Sequence, residues 1–280
     1  MITTNAILNA SLLSLLAGLG TGLGGLIAII RKPGRRSFGC LMGITAGVMI
    51  TLSFLELVNE AWKLQGYLTA TIGFAAGAIF MLVIDVLIPH MRFGEVESAQ
   101  YERPVEQNVN RDTFFGRHRH RHFRQALESV DQQLLKTGIL IALGITIHNI
   151  PEGIAVGAGY MHLPEFGLFI AMAILLHNIP EGIATALPLC KGGVCRWDAF
   201  RVALLSGLAE PVGALAAALF LKSFSALIPA ALAFAGGVMV FITLDELIPA
   251  AREHGHQHYT AIGIILGAIF VFLLSGYFGV

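Results

Sequence analysis

Apolar runs of about 20 residues, the length needed to cross the hydrocarbon core of a bilayer, recur eight times along the chain. They lie near Ile7 to Ile30, Phe38 to Ala61, Leu68 to Pro89, Leu134 to Gly159, Phe166 to Leu189, Ala199 to Leu221, Ala226 to Ala250 and Tyr259 to Phe278. The pattern predicts an all-α polytopic membrane protein, a single membrane domain over residues 1–280 with eight transmembrane helices. The polar, charged stretch 91–131 between spans 3 and 4 reads as a flexible loop.

The apolar runs also repeat. Gly47-Val48-Met49 and Leu55-Glu56-Leu57 of span 2 return 190 residues later as Gly237-Val238-Met239 and Asp245-Glu246-Leu247 of span 7. At the same offset Gly77-Ala78-Ile79-Phe80 of span 3 becomes Gly267-Ala268-Ile269-Phe270 of span 8, and span 1 (Gly18-Leu19, Gly24) matches span 6 (Gly207-Leu208, Gly213) more weakly. Matched spans are five apart, an odd number, so the copies cross in opposite directions. Spans 1–3 and 6–8 are therefore expected to form an inverted repeat around spans 4 and 5, with any site at its interface near the midplane.

Composition agrees with the spans: 55% of the 280 residues are hydrophobic and 13% charged, and the mean hydropathy is +0.73. Net charge is zero, and nucleic acid is not an expected partner. All but Lys63 and Lys222 of the 18 Lys and Arg follow spans 1, 3, 5 and 7. By the positive-inside rule that face is cytoplasmic and both termini lie outside. The expected location is the plasma (inner) membrane. Cys40, Cys190 and Cys195 fall on the cytoplasmic side and are expected to stay reduced. No cleavable leader is expected, because the basic cluster follows the first apolar run instead of preceding it.

One phrase carries the chemistry. His148-Asn149-Ile150-Pro151-Glu152-Gly153 recurs twenty-nine residues on as His177-Asn178-Ile179-Pro180-Glu181-Gly182, each copy in mid-span. A carboxylate at the bilayer centre costs roughly 3 kcal/mol on insertion scales, so duplicated buried acid and imidazole need a partner, and a metal cation is the natural one. Residues four apart share a helix face, so His148 stacks with Glu152 and His177 with Glu181; Asn149 and Asn178 lie three before the same acids. Each glutamate can thus be shared between a His side and an Asn side, a geometry suited to two cations. Pro151 and Pro180 leave carbonyls without their usual helical donors at Ile147 and Leu176. Glu210, the only ionisable residue deep in span 6, is a further candidate ligand.

Glu56 and Glu246 read either as carboxylates at opposite mouths of one path or as interfacial residues near helix ends. Met49 and Met239 are thioethers seven residues deeper, able to bind a soft metal or simply to pack. His118, His120 and His122 in the long loop, and His254, His256 and His258 after span 7, could capture metal weakly; the loop run reads equally as a basic patch near anionic lipid.

At these motifs the sequence resembles the ZIP (Zrt/Irt-like) divalent-metal transporters, and among them a bacterial branch with His-Asn-x-Pro-Glu-Gly in both spans 4 and 5. The resemblance covers the eight-span plan, outward termini, the His-bearing loop and the span 6 glutamate. It implies one metal position at His148, Glu152, His177 and Glu181, with a neighbour at Asn149, Glu152, Asn178, Glu181 and Glu210; Met49 matches a methionine that approaches the first position in some members. The function so implied is import of Zn²⁺, or of Fe²⁺, Mn²⁺, Co²⁺ or Cd²⁺, into the cytoplasm by alternating access, with no organic cofactor. Expected partners are the ions and the lipid bilayer, and a homodimer stays open. Ligand chemistry alone also admits an exporter or a passive metal channel. An intramembrane zinc protease would need His-Glu-x-x-His and a pump a Gly-x-x-x-x-Gly-Lys-Ser/Thr loop; neither string occurs.

Overall fold

The computed structural model describes residues 4–31, 33–87, 143–191 and 194–280. The loop 91–131, with His118, His120 and His122, and the first residues of predicted span 4 lie outside them. Among the described residues the fold is all helical. The elements are α1 (Thr4–Ile30), α2 (Arg35–Thr51), α3 (Asn59–Leu87), α4 (143–162), α5 (Pro164–Lys191), α6 (Arg196–Gly207), α7 (Ala209–Ser223), α8 (Ile228–Ile242), α9 (Ile248–His254) and α10 (Gln257–Phe278).

Among the described residues six helical stretches are long and apolar enough to cross a membrane. One of them, Arg35–Leu87, has 53 residues, twice what a crossing needs. It is interrupted at Gly66, whose φ of 84° and ψ of 171° belong to a region that only glycine enters readily. Predicted spans 2 and 3 lie on either side of this break. Predicted span 6 also differs from a plain helix: α6 ends and α7 begins around Leu208. The cause is local, since Pro211 cannot donate to the carbonyl of Gly207 four residues earlier.

Among the described residues two π-helical turns interrupt the helices, Leu52–Val58 between α2 and α3 and Thr243–Leu247 between α8 and α9. Such turns insert a residue into the i→i−4 ladder and cluster at functional sites. Glu56 sits in the first and Glu246 in the second, both buried.

Helices pack through small residues, as expected where lipid tails offer no hydrophobic drive between apolar surfaces. α1 lies along α5, α2 along α10 and α3 along α8. At these seams glycines bring backbones into contact. Gly47 abuts Ile264 and Gly237 abuts Phe74; Gly77 abuts Phe234 and Gly267 abuts Ile44. Likewise Gly24 abuts Ile179 and Gly213 abuts Ile150, while Gly182 abuts Thr21 and Gly153 abuts Glu210. The second set clamps both copies of the doubled motif between α1 and α7. The core runs through the middle of the bundle, with Met49, Leu52, Phe169, Ile174, Leu232 and Met239 fully buried, whereas Leu8, Ile72, Val86, Leu219 and Leu273 face outward as a lipid-facing surface would.

Candidate metal centre

α4 and α5 are joined by a single residue, Leu163, with Pro164 opening α5 where its missing N–H costs nothing. So tight a hairpin lays the two copies of the motif side by side in opposite directions. Glu152 is eleven residues before Leu163 and His177 fourteen after it; His148 is fifteen before and Glu181 eighteen after. Antiparallel neighbours therefore meet crosswise, the imidazole of one helix against the carboxylate of the other.

That is the geometry observed. His177 Nε2 lies 3.0 Å from Glu152 Oε1, where the ring N–H donates to the carboxylate. His148 Nε2 lies 3.3 Å from Glu181 Oε1 without the alignment of a hydrogen bond. All four side chains are buried, none more than 2% exposed. Ligand atoms of His148, Glu152 and Glu181 all lie within 4.8 Å of one another, so that small side-chain adjustments would bring all three onto one ion at coordination distances of about 2.0–2.2 Å. The fourth expected residue, His177, reaches this group through Glu152.

One helical step away, the asparagines are held by backbone. Asn178 Nδ2 donates to the carbonyl of Ala17 on α1 (2.9 Å) and to Glu210 Oε1 on α7 (2.5 Å). Asn149 Nδ2 donates to the carbonyl of Ser206 on α6 (2.9 Å). With both amide nitrogens engaged, each Oδ1 is left facing inward as an acceptor. Among the described residues Asn149 Oδ1, Asn178 Oδ1, Glu152 Oε2, Glu181 Oε2 and Glu210 Oε2 are all buried with no hydrogen-bond donor. Buried polar atoms are normally satisfied, and five such oxygens without donors around one hairpin make this the candidate cation site.

The accessory residues separate. Glu246 interacts electrostatically with Asp85 and Asp245, and also with Glu181 of the cluster. Glu56 lies beside Ser275 of α10, near Lys63 and Glu60. Met49 and Met239 are buried together around Thr243, whose hydroxyl lies 3.6 Å from Met49 Sδ and donates to the Met239 carbonyl. His256 and His258 are neighbours, ring centres 5.7 Å apart, and are not among the residues grouped with His148, Glu152 and Glu181.

Sequence reasoning missed four contributors. Thr45 on α2 donates to the carbonyl of His177 (3.2 Å), tying the α2 bundle to the motif. The carbonyls of Ala17 and Ser206 orient the asparagines, which no side-chain pattern records. His162 Nε2 lies 3.1 Å from Glu60 Oε1, with Lys63 on the other carboxylate oxygen, linking the end of α4 to α3. The crosswise pairing was countable from Leu163, had the hairpin been assumed that short.

The sequence model of the ZIP zinc transporter family matches residues 94–275. The chain belongs to the ZIP zinc transporter family. That family consists of transporters, not enzymes, in keeping with a helical membrane bundle around a buried His and Glu cluster. The chain is 41% identical to the zinc transporter ZupT of Lysinibacillus sphaericus over 91% of this chain and 92% of that protein. It is 40% identical to ZupT of Oceanobacillus iheyensis (92% and 93% covered). The likeness reaches plants: the zinc transporter ZTP29 of Arabidopsis thaliana is 36% identical, with 91% and 89% covered.

Proposed function

We propose that this ZIP family member imports Zn²⁺ into the cytoplasm through a midplane site made by the doubled motif, with Fe²⁺, Mn²⁺, Co²⁺ and Cd²⁺ as further cargo. The observation that carries the reading is the crosswise pairing of His177 with Glu152 and His148 with Glu181, surrounded by buried oxygens that lack donors. Zinc comes from the names of the relatives and from the donor set, since imidazole with carboxylate suits Zn²⁺.

The first ion position is formed by His148, Glu152, His177 and Glu181. The second uses Asn149, Asn178 and Glu210 with the free oxygens of Glu152 and Glu181 and, being all oxygen, suits harder ions. Glu246 serves as the inner relay and Glu56 as the outer mouth; Met49 approaches the first position, with Met239 packed behind it. The domain is a single unit of eight crossings with both termini outside. The Gly66 break supports counting Arg35–Leu87 as two crossings, and the lysine and arginine asymmetry supports the orientation. The inverted repeat is supported by contacts that recur at fixed offsets: Gly47 on Ile264 and Gly237 on Phe74 exchange roles under a shift of 190. Alternating access then moves α1 and α4–α7 against α2, α3 and α8–α10.

Zinc flux into proteoliposomes carrying a luminal zinc-sensing dye tests this. Wild type should transport and Glu152→Ala should not. Equal flux in both would overturn the site. Flux at the rate of a pore would replace the carrier by a channel, and zinc accumulation only in inside-out vesicles driven by an ion gradient would make it an exporter.

A further inference from the structure

The contacts around the asparagines obey one equivalence. A shift of 189 carries α1 onto α6 and α7, and a shift of −29 carries α5 onto α4. Asn178 donates to the carbonyl of Ala17 and Asn149 to that of Ser206, both at 2.9 Å; 17 becomes 206 as 178 becomes 149. Gly24 on Ile179 becomes Gly213 on Ile150, and Gly182 on Thr21 becomes Gly153 on Glu210. Under the same operation the counterpart of Glu210 is Thr21.

The side chains agree. A methyl added at Gly18 would fall 3.3 Å from Glu210 Oε1, and one added at Gly207 would fall 3.2 Å from Thr21 Cβ. Each residue thus leans over the α1–α6 crossing from its own side. Thr21 is fully buried, and its hydroxyl has no hydrogen-bond partner among the described residues. A helical threonine ordinarily donates to the carbonyl four residues back. For Thr21 that carbonyl is Ala17, already the acceptor of Asn178 Nδ2. The amide that fixes one ligand has displaced the hydroxyl from its default bond.

We infer that Thr21 Oγ1 is an oxygen donor to the second cation position, facing Asn149 as Glu210 faces Asn178, either directly on the ion or through one of its waters. The position is then chemically lopsided, a carboxylate on the α7 side and a neutral hydroxyl on the α1 side. A neutral oxygen adds coordination without charge, which favours ions that take six oxygen ligands, such as Mn²⁺, over four-coordinate Zn²⁺. Thr21 would accordingly set which ions occupy the second position, while the imidazoles govern the first. This rests on the buried cluster being the metal site.

The test is equilibrium binding of Mn²⁺ and of Zn²⁺ to the purified full chain in detergent, with bound metal counted by elemental analysis. Thr21→Val keeps the shape and removes the oxygen. It should weaken Mn²⁺ binding about ten-fold and leave the tightest Zn²⁺ unchanged, and Thr21→Ser should restore Mn²⁺. Unchanged Mn²⁺ affinity and stoichiometry in Thr21→Val would overturn the inference. Thr21→Cys in a background lacking Cys40, Cys190 and Cys195 gives a readout independent of Thr21→Val folding: Cd²⁺ should produce a thiolate-to-metal absorption absent from that cysteine-free background, and no such band in folded protein would also refute it. Glu152→Ala is the control for the underlying reading. If it binds both metals like wild type, the site itself is wrong; if it loses them while Thr21→Val does not, only Thr21 is misassigned.

Discussion

Replacing Glu152 by glutamine exchanges one carboxylate oxygen for an amide and keeps the shape. The remaining oxygen can still accept from His177 Nε2, now at 3.0 Å, and the new NH₂ takes the position of Oε2, which has no donor. The metal-free protein is relieved of a buried carboxylate charge, whose desolvation costs several kcal/mol, while the hydrogen bond to His177 is kept, so Glu152→Gln should melt at or above the wild-type temperature. Zinc binding should respond oppositely. Loss of one charged ligand from a shell of four weakens affinity at least about 100-fold, or about 2.7 kcal/mol. At a zinc concentration 100 times the wild-type Kd, bound metal stabilises wild type by about 2.7 kcal/mol but a 100-fold weaker variant by only about 0.4 kcal/mol. Thermal melting in detergent with and without zinc reads both numbers. A full wild-type zinc shift in Glu152→Gln, or a metal-free variant that is grossly less stable, would refute the assignment of Glu152 to the ion and make it a structural partner of His177.

Other perturbations separate scaffold from site. Gly153→Ala puts a methyl on the backbone at Glu210 and Ala214; it should cost about 1–3 kcal/mol in melting and weaken zinc binding along with it. Gly66→Ala meets no neighbouring atom within 4 Å, so its cost of about 1–3 kcal/mol comes from backbone conformation alone, and zinc affinity measured by titration should not change. Because His148, His177 and the carboxylates bind metal only when deprotonated, protons compete: apparent zinc affinity should fall as pH drops from about 7.5 to about 5.5, and a flat profile by calorimetry would contradict the donor set. Single cysteines at Gln65 and Arg252, in a background lacking Cys40, Cys190 and Cys195, should be labelled by an impermeant maleimide from outside and inside the cell respectively.

Much of this was legible in the chain. The apolar runs gave the helices because hydrocarbon leaves the backbone no other solution, and the doubled motif marked the buried His and Glu cluster because acid and imidazole do not sit in mid-span without cause. What the sequence left open were relations between helices. Periodicity stacks His148 over Glu152 and His177 over Glu181 on their own faces, but the observed partners are crosswise, decided by the one-residue connection at Leu163. The π turns around Glu56 and Glu246 were also invisible, since a slipped backbone bond arises from packing and leaves no composition signal. The break at Leu208 had a visible cause in Pro211, but a proline three residues past the break reads as a kink in one helix as easily as the start of another.

Zinc binding here requires imidazole nitrogen and carboxylate oxygen from two antiparallel helices to meet on one ion. X-ray absorption of the zinc-loaded protein measures this directly. A shell of nitrogen and oxygen at about 2.0–2.1 Å, with imidazole scattering that falls in both His148→Ala and His177→Ala, is the predicted spectrum. A sulfur shell at about 2.3 Å, or an oxygen-only shell indifferent to both substitutions, would contradict it.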